Sequence, residues 1–269
     1  MPYPHGPDRR AVLRGAAVAS GTALAGGAFG VSTAHASVGT GAAAEPAMYF
    51  RADWNARPPT TPVQVLATPP SFVVVHHTAT PNATDHSEAH ALALSRSIQN
   101  FHMDSNGWAD AGQQFTISRG GHVMEGRDRA VPAAREGSHC VGAHVANNNS
   151  TCVGIENEGT YMEEGPTQAL TGSLVATLAW LCGAYGLNPH EAILGHRDFN
   201  ATACPGDVLY AMLPELRDAV TGVLLAAGAE IGTRTVPRED RPSYPPVPRD
   251  EPRRAFEHGP GRGPDDITR

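Results

Sequence analysis

The run Phe72–His77, with the sequence FVVVHH, limits the possible folds of this chain more than any other stretch. A short β-branched run without polar alternation is typical of a strand buried on both faces, as in the middle of a largely parallel sheet. Side chains alternate along a strand, so His76 and His77 should point to opposite faces. One histidine can then face a site at the end of the strand while the other faces the packing side.

Strand and helix patterns alternate through the rest of the central region. The predicted elements are a helix opened by a capping box at Asp85 and Glu88, a hairpin turning at Gly120-Gly121, a strand at 152–156, a helix from the cap Thr167 to Gly186, and a strand at 192–194. The helices carry apolar residues at spacings of three and four, and the strands are short apolar runs. This alternation predicts an α/β fold, with helices packed on a central sheet.

Composition divides the 269 residues into four parts. We predict a signal peptide at 1–36, a linker at 37–50, one folded domain at 51–228 and a disordered tail at 229–269. The tail is rich in Pro, Arg and Asp and has almost no apolar residues to bury. Such a segment cannot offset the entropy that it would lose on ordering.

The N-terminus has the features of an export signal. Arg9-Arg10 precede an uncharged run at 15–31 that is rich in Ala, Gly and Val, and the A-x-A sequence Ala34-His35-Ala36 follows. The run is too short and too rich in glycine for a stable membrane span, so we predict twin-arginine export with cleavage after Ala36. The protein should then be secreted or associated with the cell wall. The alternative is a disordered, Ala-rich N-terminus.

Charge and hydropathy narrow the possible partners. The formal net charge is −7, charged residues make up only 17%, and no basic stripe is visible. This pattern argues against nucleic acid as a partner. Apart from the predicted signal, no apolar run approaches membrane-spanning length, so the mature chain should be soluble. We expect it to act as a monomer.

The four cysteines do not form the pattern of a disulfide framework, although they are compatible with an oxidising compartment. Cys140 and Cys152 bracket one polar loop and could pair. Cys182 lies on an apolar helical face and should be an inert core residue. The fourth cysteine, Cys204, is a candidate metal ligand.

The stretch Ile193–Asp207 presents His196 and Cys204 with seven residues between them. A thiolate and an imidazole flanking a short loop can converge on one ion, and this pairing favours zinc. A lone cysteine is otherwise usually a small buried hydrophobe. Pro205 suits the first position of a helix that would follow the loop directly.

Zinc hydrolysis requires three protein ligands, an open fourth position for water and a nearby proton acceptor. His76, at the end of its strand, would be the third ligand. Glu156, near the exit of the strand at 152–156, would be the base. The alternatives are that the histidine is a packing or surface residue, and that Glu156 pairs with Arg127 or Arg197.

Four motifs occur along the chain in the order VVVHHTAT, GWADAGQQFTISRGGHVMEGR, GAHVANNNSTCVGIENEG and GHRDFNATACPGD. Together, over about residues 51–216, they resemble the zinc N-acetylmuramoyl-L-alanine amidases of the peptidoglycan recognition protein type. The resemblance implies that His76, His196 and Cys204 bind zinc and that His144 lies on the substrate side. It also implies a mixed central sheet flanked by helices, with a groove over the zinc.

One position departs from the family pattern, because many members carry a catalytic Tyr where this chain has Gln113. A glutamine can neither supply a phenolic proton nor act as a base. Related amidases that act on anhydro-muropeptides also lack the Tyr and use the glutamate that corresponds to Glu156. Those enzymes have a lysine at the position of Thr202, where recognition-protein amidases have threonine. Thr202 could donate a hydrogen bond to the developing oxyanion, a role that His144 could share.

The resemblance thus implies a secreted Zn²⁺ hydrolase that cleaves the amide bond between N-acetylmuramic acid and L-alanine in peptidoglycan. Glu156 and Thr202 would be its catalytic residues. Beside His144, we expect Gln113, His77 and Asn149 to contact the substrate. The alternatives are a non-catalytic muropeptide-binding module, which the glutamine at 113 would allow, and a metal-free structural domain.

Overall fold

The computed structural model describes residues 43–234, 236–249 and 254–266. The predicted signal peptide at 1–36 and the first residues of the predicted linker lie outside the described residues. Within the described part of the chain, no helix combines the length and the apolar character that a membrane crossing requires.

The structure contains a five-stranded mixed sheet and a separate two-stranded one. The strands are β1 (Val65–Leu66), β2 (Phe72–His77), β3 (Phe115–Ile117), β4 (Val123–Glu125), β5 (His139–Cys140), β6 (Cys152–Asn157) and β7 (Ile193–Gly195). The large sheet has the order β4-β3-β6-β2-β7, in which β2 is parallel to both neighbours and only β4 is antiparallel to its neighbour. All six residues of the central strand β2 are buried. The predicted α/β fold with a mixed central sheet is confirmed.

Helices cover this sheet. The α-helices of the described residues are α1 (Glu88–Asn100), α2 (Ala130–Arg135), α3 (Gln168–Tyr185), α4 (Pro189–Ala192), α5 (Asp207–Ala211) and α6 (Leu213–Ala226). Helices α3 and α6 share the main core with Val73 and Val75 of β2. The fully buried leucines of α3 pack it against this core. Burying each of these side chains stabilises the fold by about 1.5–3 kcal/mol. The Thr167 hydroxyl caps α3 as predicted, and Gly186 ends it with a φ of 62°.

Two predicted helix starts are shifted by local hydrogen bonding. Helix α1 begins after Ser87, whose hydroxyl accepts from the His90 N–H at 3.2 Å, while the Asp85 carboxylate accepts from the Ser87 N–H at 2.9 Å. The aspartate therefore closes the turn before the helix. Pro205 lies in a turn, not at the first position of a helix, and α5 begins at Asp207.

The four cysteines all lie in the described part and are all free. Cys140 and Cys152, for which a disulfide was one possibility, are separate buried thiols, and the Cys140 thiol donates to the Asp128 carbonyl at 3.0 Å. Burial raises the pKa of Cys140 to about 12, so this thiol stays protonated at neutral pH. Cys182 is an inert member of the main core, as predicted.

Residues before and after the predicted domain in the sequence both contact it. Tyr49, in the predicted linker, exchanges backbone hydrogen bonds with β4 at 2.8 and 2.9 Å. Residues 254–266, which we call the C-terminal strap, lie against the body although the sequence predicted a disordered tail. Within it, His258 is only 5% exposed and Asp266 only 8%. The contacts that hold the strap are mainly polar, which is why counting apolar residues did not reveal them.

Candidate metal centre

Strand geometry brings the predicted polar residues together at one edge of the sheet. His76 of β2 is the register partner of Glu156 in the parallel strand β6. Strand β7, on the other side of β2, ends at Gly195, so His196 follows directly. The carboxyl ends of parallel strands meet at one edge of a sheet, which is where such folds place their sites. All three side chains are buried there.

Four side chains converge at this edge on a volume that one ion could fill. The potential donor atoms of His76, His196, Cys204 and His258 all lie within 4.8 Å of one another. The Cys204 Sγ is 3.6 Å from Nδ1 of His76. Three imidazoles and one thiol form a donor set that suits zinc. The three ligands predicted from the sequence are therefore together, and His258 is an addition from the strap.

A chain of hydrogen bonds fixes the tautomer of His76. The His144 Nε2 lies 3.1 Å from the Cys152 carbonyl oxygen, which can only accept, so this nitrogen carries the proton. The His144 Nδ1 is then an acceptor and receives the Nε2 proton of His76 at 3.0 Å. This assignment leaves the Nδ1 lone pair of His76 free on the side of the thiol. Such a partner behind a metal-binding histidine orients the ring.

His196 presents a second unpaired nitrogen. Its Nε2 lies 3.1 Å from the Asn200 Oδ1 and 3.2 Å from the Pro260 carbonyl oxygen, and it donates to these acceptors. Its Nδ1 is buried and has no hydrogen-bond partner among the described residues. Burial, and secondarily the neighbouring His258, lower the pKa of His196 to about 3, so the ring is neutral at physiological pH. A neutral, unpaired imidazole nitrogen is what a metal ligand requires, so the residues fit zinc.

The two predicted catalytic residues lie beside this cluster. The Glu156 Oε1 is 3.0 Å from the His258 Nε2, and its Oε2 is buried without a partner in the described part of the chain. The alternative ion pairs are not formed, because Arg127 donates to the Ala111 carbonyl and Arg197 pairs with Asp207.

The Thr202 hydroxyl accepts from the Cys204 N–H at 3.1 Å and donates to the His258 carbonyl at 2.7 Å. The orientation of this hydroxyl is thus fixed by the same loop that carries the thiol. Its proton points to the carbonyl oxygen of His258 in the strap.

Three of the residues predicted to contact the substrate, His144, His77 and Gln113, are buried. His144 lies behind His76, and its Nδ1 is 3.0 Å from the Nε2 of that ring. His77 is fully buried on the opposite face of β2 and accepts from the Tyr161 N–H at 3.4 Å. Gln113 is buried and donates to the Thr116 hydroxyl.

Asn149 is also buried, but its side chain contacts the C-terminal strap. Its Oδ1 accepts from the His144 N–H at 2.8 Å, while its Nδ2 donates to the strap at the Gly261 carbonyl, also at 2.8 Å. The sequence prediction overlooked His258 because a lone histidine in the Gly- and Pro-rich stretch HGPGRGPDD has no periodic pattern. It also overlooked His102, whose Nε2 lies 4.0 Å from Glu156.

We expect His144→Ala to weaken zinc binding by about 10–100-fold, the usual effect of losing the residue that orients a metal-binding histidine. The reason is that His76 would lose the acceptor that fixes its tautomer. Competition with a chromophoric chelator measures the zinc affinity. His122→Ala, on a partly exposed histidine outside the centre, is the control. Equal zinc affinity in both variants would contradict the proposed tautomer chain.

Comparison with known proteins identifies the family of this chain. Residues 66–207 match the model of the family described as N-acetylmuramoyl-L-alanine amidase (Amidase_2). The N-acetylmuramoyl-L-alanine amidase of Sus scrofa is 37% identical over 169 residues, which are 62% of this chain and 27% of that protein. The peptidoglycan-recognition protein SC2 of Drosophila simulans is 33% identical over 156 residues, 58% of this chain and 78% of that protein.

Solved structures show the same fold. A mutant of the Drosophila peptidoglycan recognition protein LB, in complex with tracheal cytotoxin, superposes with a TM-score of 0.54 at 30% identity. The match covers 62% of this chain and 92% of that one. The chain spans only about a quarter of the length of the curated mammalian amidases that it matches. The family model covers more than half of the chain, and the chain belongs to the N-acetylmuramoyl-L-alanine amidase family (Amidase_2).

Proposed function

We propose that this protein is a zinc-dependent amidase that cleaves the bond between N-acetylmuramic acid and L-alanine in peptidoglycan. The observation that carries the proposal is the convergence of His76, His196 and Cys204 on one volume with Glu156 beside it. Two neutral imidazoles and a thiol supply a three-ligand set, and the carboxylate supplies a base. We include in the proposal that the protein acts outside the cytoplasm, after twin-arginine export.

Glu156 and Thr202 would have separate roles in the hydrolysis. When bound, zinc would polarise the amide carbonyl of the substrate. Glu156 would accept a proton from the attacking water as the new carbon–oxygen bond forms, and would pass it to the L-alanine nitrogen as the carbon–nitrogen bond breaks. The Thr202 hydroxyl, already oriented by the Cys204 N–H, would donate to the developing oxyanion.

Asn149 would help to position the peptide stem. Its Nδ2 donates to the Gly261 carbonyl of the strap, which the substrate would have to displace, while its Oδ1 accepts from two backbone N–H groups of its own loop. An amide fixed in this way can donate to a peptide carbonyl of the substrate at little cost in conformational entropy. Its contribution would be to orientation and not to the chemical step.

A muropeptide-binding module without catalysis is the second candidate. Gln113 favours it, because this buried side chain replaces a tyrosine of many relatives and cannot supply a phenolic proton. The Drosophila relative solved with tracheal cytotoxin supports binding of a muropeptide by this fold. The two candidates share a groove and differ in whether Glu156 performs proton transfer.

Mass spectrometry of purified muropeptides, incubated with zinc-loaded protein, tests the proposal. We expect free stem peptide to appear with a lactyl-terminated glycan fragment, and to be absent with metal-stripped protein. Bound but uncleaved muropeptide would instead favour the binding module. Because the strap covers the centre, we expect this cleavage in Gly259→Ala, where a Cβ would clash with Thr202 of the site, and slower cleavage or none in the wild-type chain.

A further inference from the structure

The C-terminal strap, residues 254–266, lies directly over the candidate metal centre. The side chain of His258 enters the cluster with His76, His196 and Cys204. Its Nε2 binds the Glu156 carboxylate at 3.0 Å, and its Nδ1 is buried with no hydrogen-bond partner in the described residues. One imidazole therefore engages the proposed base and also brings an unpaired nitrogen to the proposed zinc site.

The backbone of the strap accepts from the Thr202 hydroxyl and the Asn149 amide, two donors that the proposed function assigns to the substrate. The Thr202 hydroxyl donates to the His258 carbonyl at 2.7 Å, and the Asn149 Nδ2 donates to the Gly261 carbonyl at 2.8 Å. Between them, the Ala146 N–H donates to the Pro260 carbonyl at 3.0 Å. Three carbonyls of the strap thus satisfy three donors beside the candidate metal centre.

Glycine allows this close approach. Gly259 has a φ of +121°, and a Cβ built there would lie 2.6 Å from the Cβ of Thr202 and 3.1 Å from the ring of His196. A larger residue would be strained in its backbone and would clash with the site. Gly261 packs with similar closeness, since its Cβ would lie 2.8 Å from the Ala143 carbonyl oxygen.

The Asp266 carboxylate binds the C-terminal end of the strap to the rest of the domain. The Asp266 Oδ2 accepts from the Asn147 N–H at 2.9 Å, and its Oδ1 accepts from the Asn149 N–H at 3.3 Å. Hydrogen bonds to a charged acceptor are stronger than neutral ones, which favours the docked strap. At the other end, the Phe256 N–H donates to the Thr78 carbonyl at 2.9 Å. The strap is thus held on both sides of His258.

We propose that the strap is an internal pseudosubstrate in which His258 supplies a fourth protein ligand to the metal and the backbone fills the stem-peptide groove. The inference rests on the proposed function, because it assigns the occupant of that same site. Structural zinc sites have four protein ligands, whereas catalytic ones keep one position open. The protein with its strap docked is therefore closed to water and to substrate, and it becomes competent only when the strap leaves.

The strap and a muropeptide should compete for one groove. If the groove is free in only a fraction of molecules, the apparent dissociation constant rises by the inverse of that fraction. A substitution within the strap that dislodges it and leaves the donor residues themselves unsubstituted should therefore tighten muropeptide binding. Gly259→Ala is such a change. Gly222→Ala is its control, since a Cβ at Gly222 meets no atom within 4 Å.

Cobalt(II) substitution of the full-length protein tests the fourth ligand. Azide changes the visible spectrum of a cobalt centre only where it can take a coordination position. We expect no azide response in the wild type and in Gly222→Ala, and a clear response in His258→Ala and Gly259→Ala. An equal azide response in the wild type and in His258→Ala would overturn the assignment of His258. If the wild type binds no cobalt, the fourth ligand and the zinc part of the proposed function are both overturned.

Muropeptide binding by the metal-free full-length chain tests the groove separately, by calorimetry. We expect Gly259→Ala to bind about tenfold more tightly than the wild type, and Gly222→Ala to bind like the wild type. Asp266→Asn, which weakens the far anchor, should move affinity in the same direction, so a misfolded Gly259→Ala would not end the test. Equal affinities in folded wild type, Gly259→Ala and Asp266→Asn would overturn the pseudosubstrate. Tight binding by the variants with no cleavage after zinc loading would contradict the amidase and leave the strap supported.

Discussion

Cys204→Ser should lower zinc occupancy and melting temperature together. Metal that binds only the folded state stabilises it, by about 3 kcal/mol at a few hundred times the dissociation constant. For a domain of this size, that corresponds to a fall of roughly 6–12 °C when the metal is lost. Serine keeps the size of the side chain and replaces the soft sulfur, which lies 3.6 Å from the His76 Nδ1, by a harder oxygen.

The measurement pairs elemental analysis of the purified protein with thermal unfolding in the presence and absence of a chelator. Cys140→Ser is the matched control, because Cys140 is an equally buried thiol outside the cluster. It should lose stability without losing metal. If Cys204→Ser retains full zinc occupancy, the thiol is not a ligand.

Glu156→Gln should lower the rate of muropeptide cleavage by about 100-fold or more, the scale typical of losing a general base. The amide matches the carboxylate in shape but cannot take the proton from water. Zinc and muropeptide binding should remain, since the donor atoms of the cluster are unchanged. The measured quantity is kcat/KM for release of stem peptide, together with zinc content.

One contact complicates this variant, because Glu156 also binds His258 of the strap at 3.0 Å. Removing the charge should weaken the docked strap and partly mask the loss of rate. The comparison should therefore be made in the Gly259→Ala background, where the strap is already displaced. Glu164→Gln, on an exposed glutamate, is the control. Turnover close to that of the parent would remove Glu156 from the mechanism.

Local sequence patterns predicted the elements that carry the site. The run of valines in β2 predicted a central strand, and Thr167 and Gly186 predicted both ends of α3, since caps and burial patterns depend on neighbouring residues. The three candidate metal ligands were predicted from the family resemblance. Their convergence then follows from parallel strands that end at one edge of the sheet.

Two features depend on contacts between residues far apart in sequence, which local patterns do not contain. The sequence did not predict that the His144 ring packs on Gly154, where a Cβ would lie 2.6 Å from the His144 Nδ1. The strap lacks apolar periodicity and is held through carbonyl groups and the Asp266 carboxylate. Composition indicates how much apolar surface a segment can bury, so it gives no signal for a segment that is held by polar contacts.

The pairing of His76 with Glu156 in adjacent strands also bears on hydrogen–deuterium exchange. The two residues belong to one backbone ladder in the middle of the sheet, so their amides should exchange only when that ladder opens. Asn149 and Thr202 belong to loops and depend on loop openings that require less free energy. The amides of His76 and Glu156 should therefore exchange slowly and those of Asn149 and Thr202 faster. Hydrogen–deuterium labelling could resolve this contrast residue by residue.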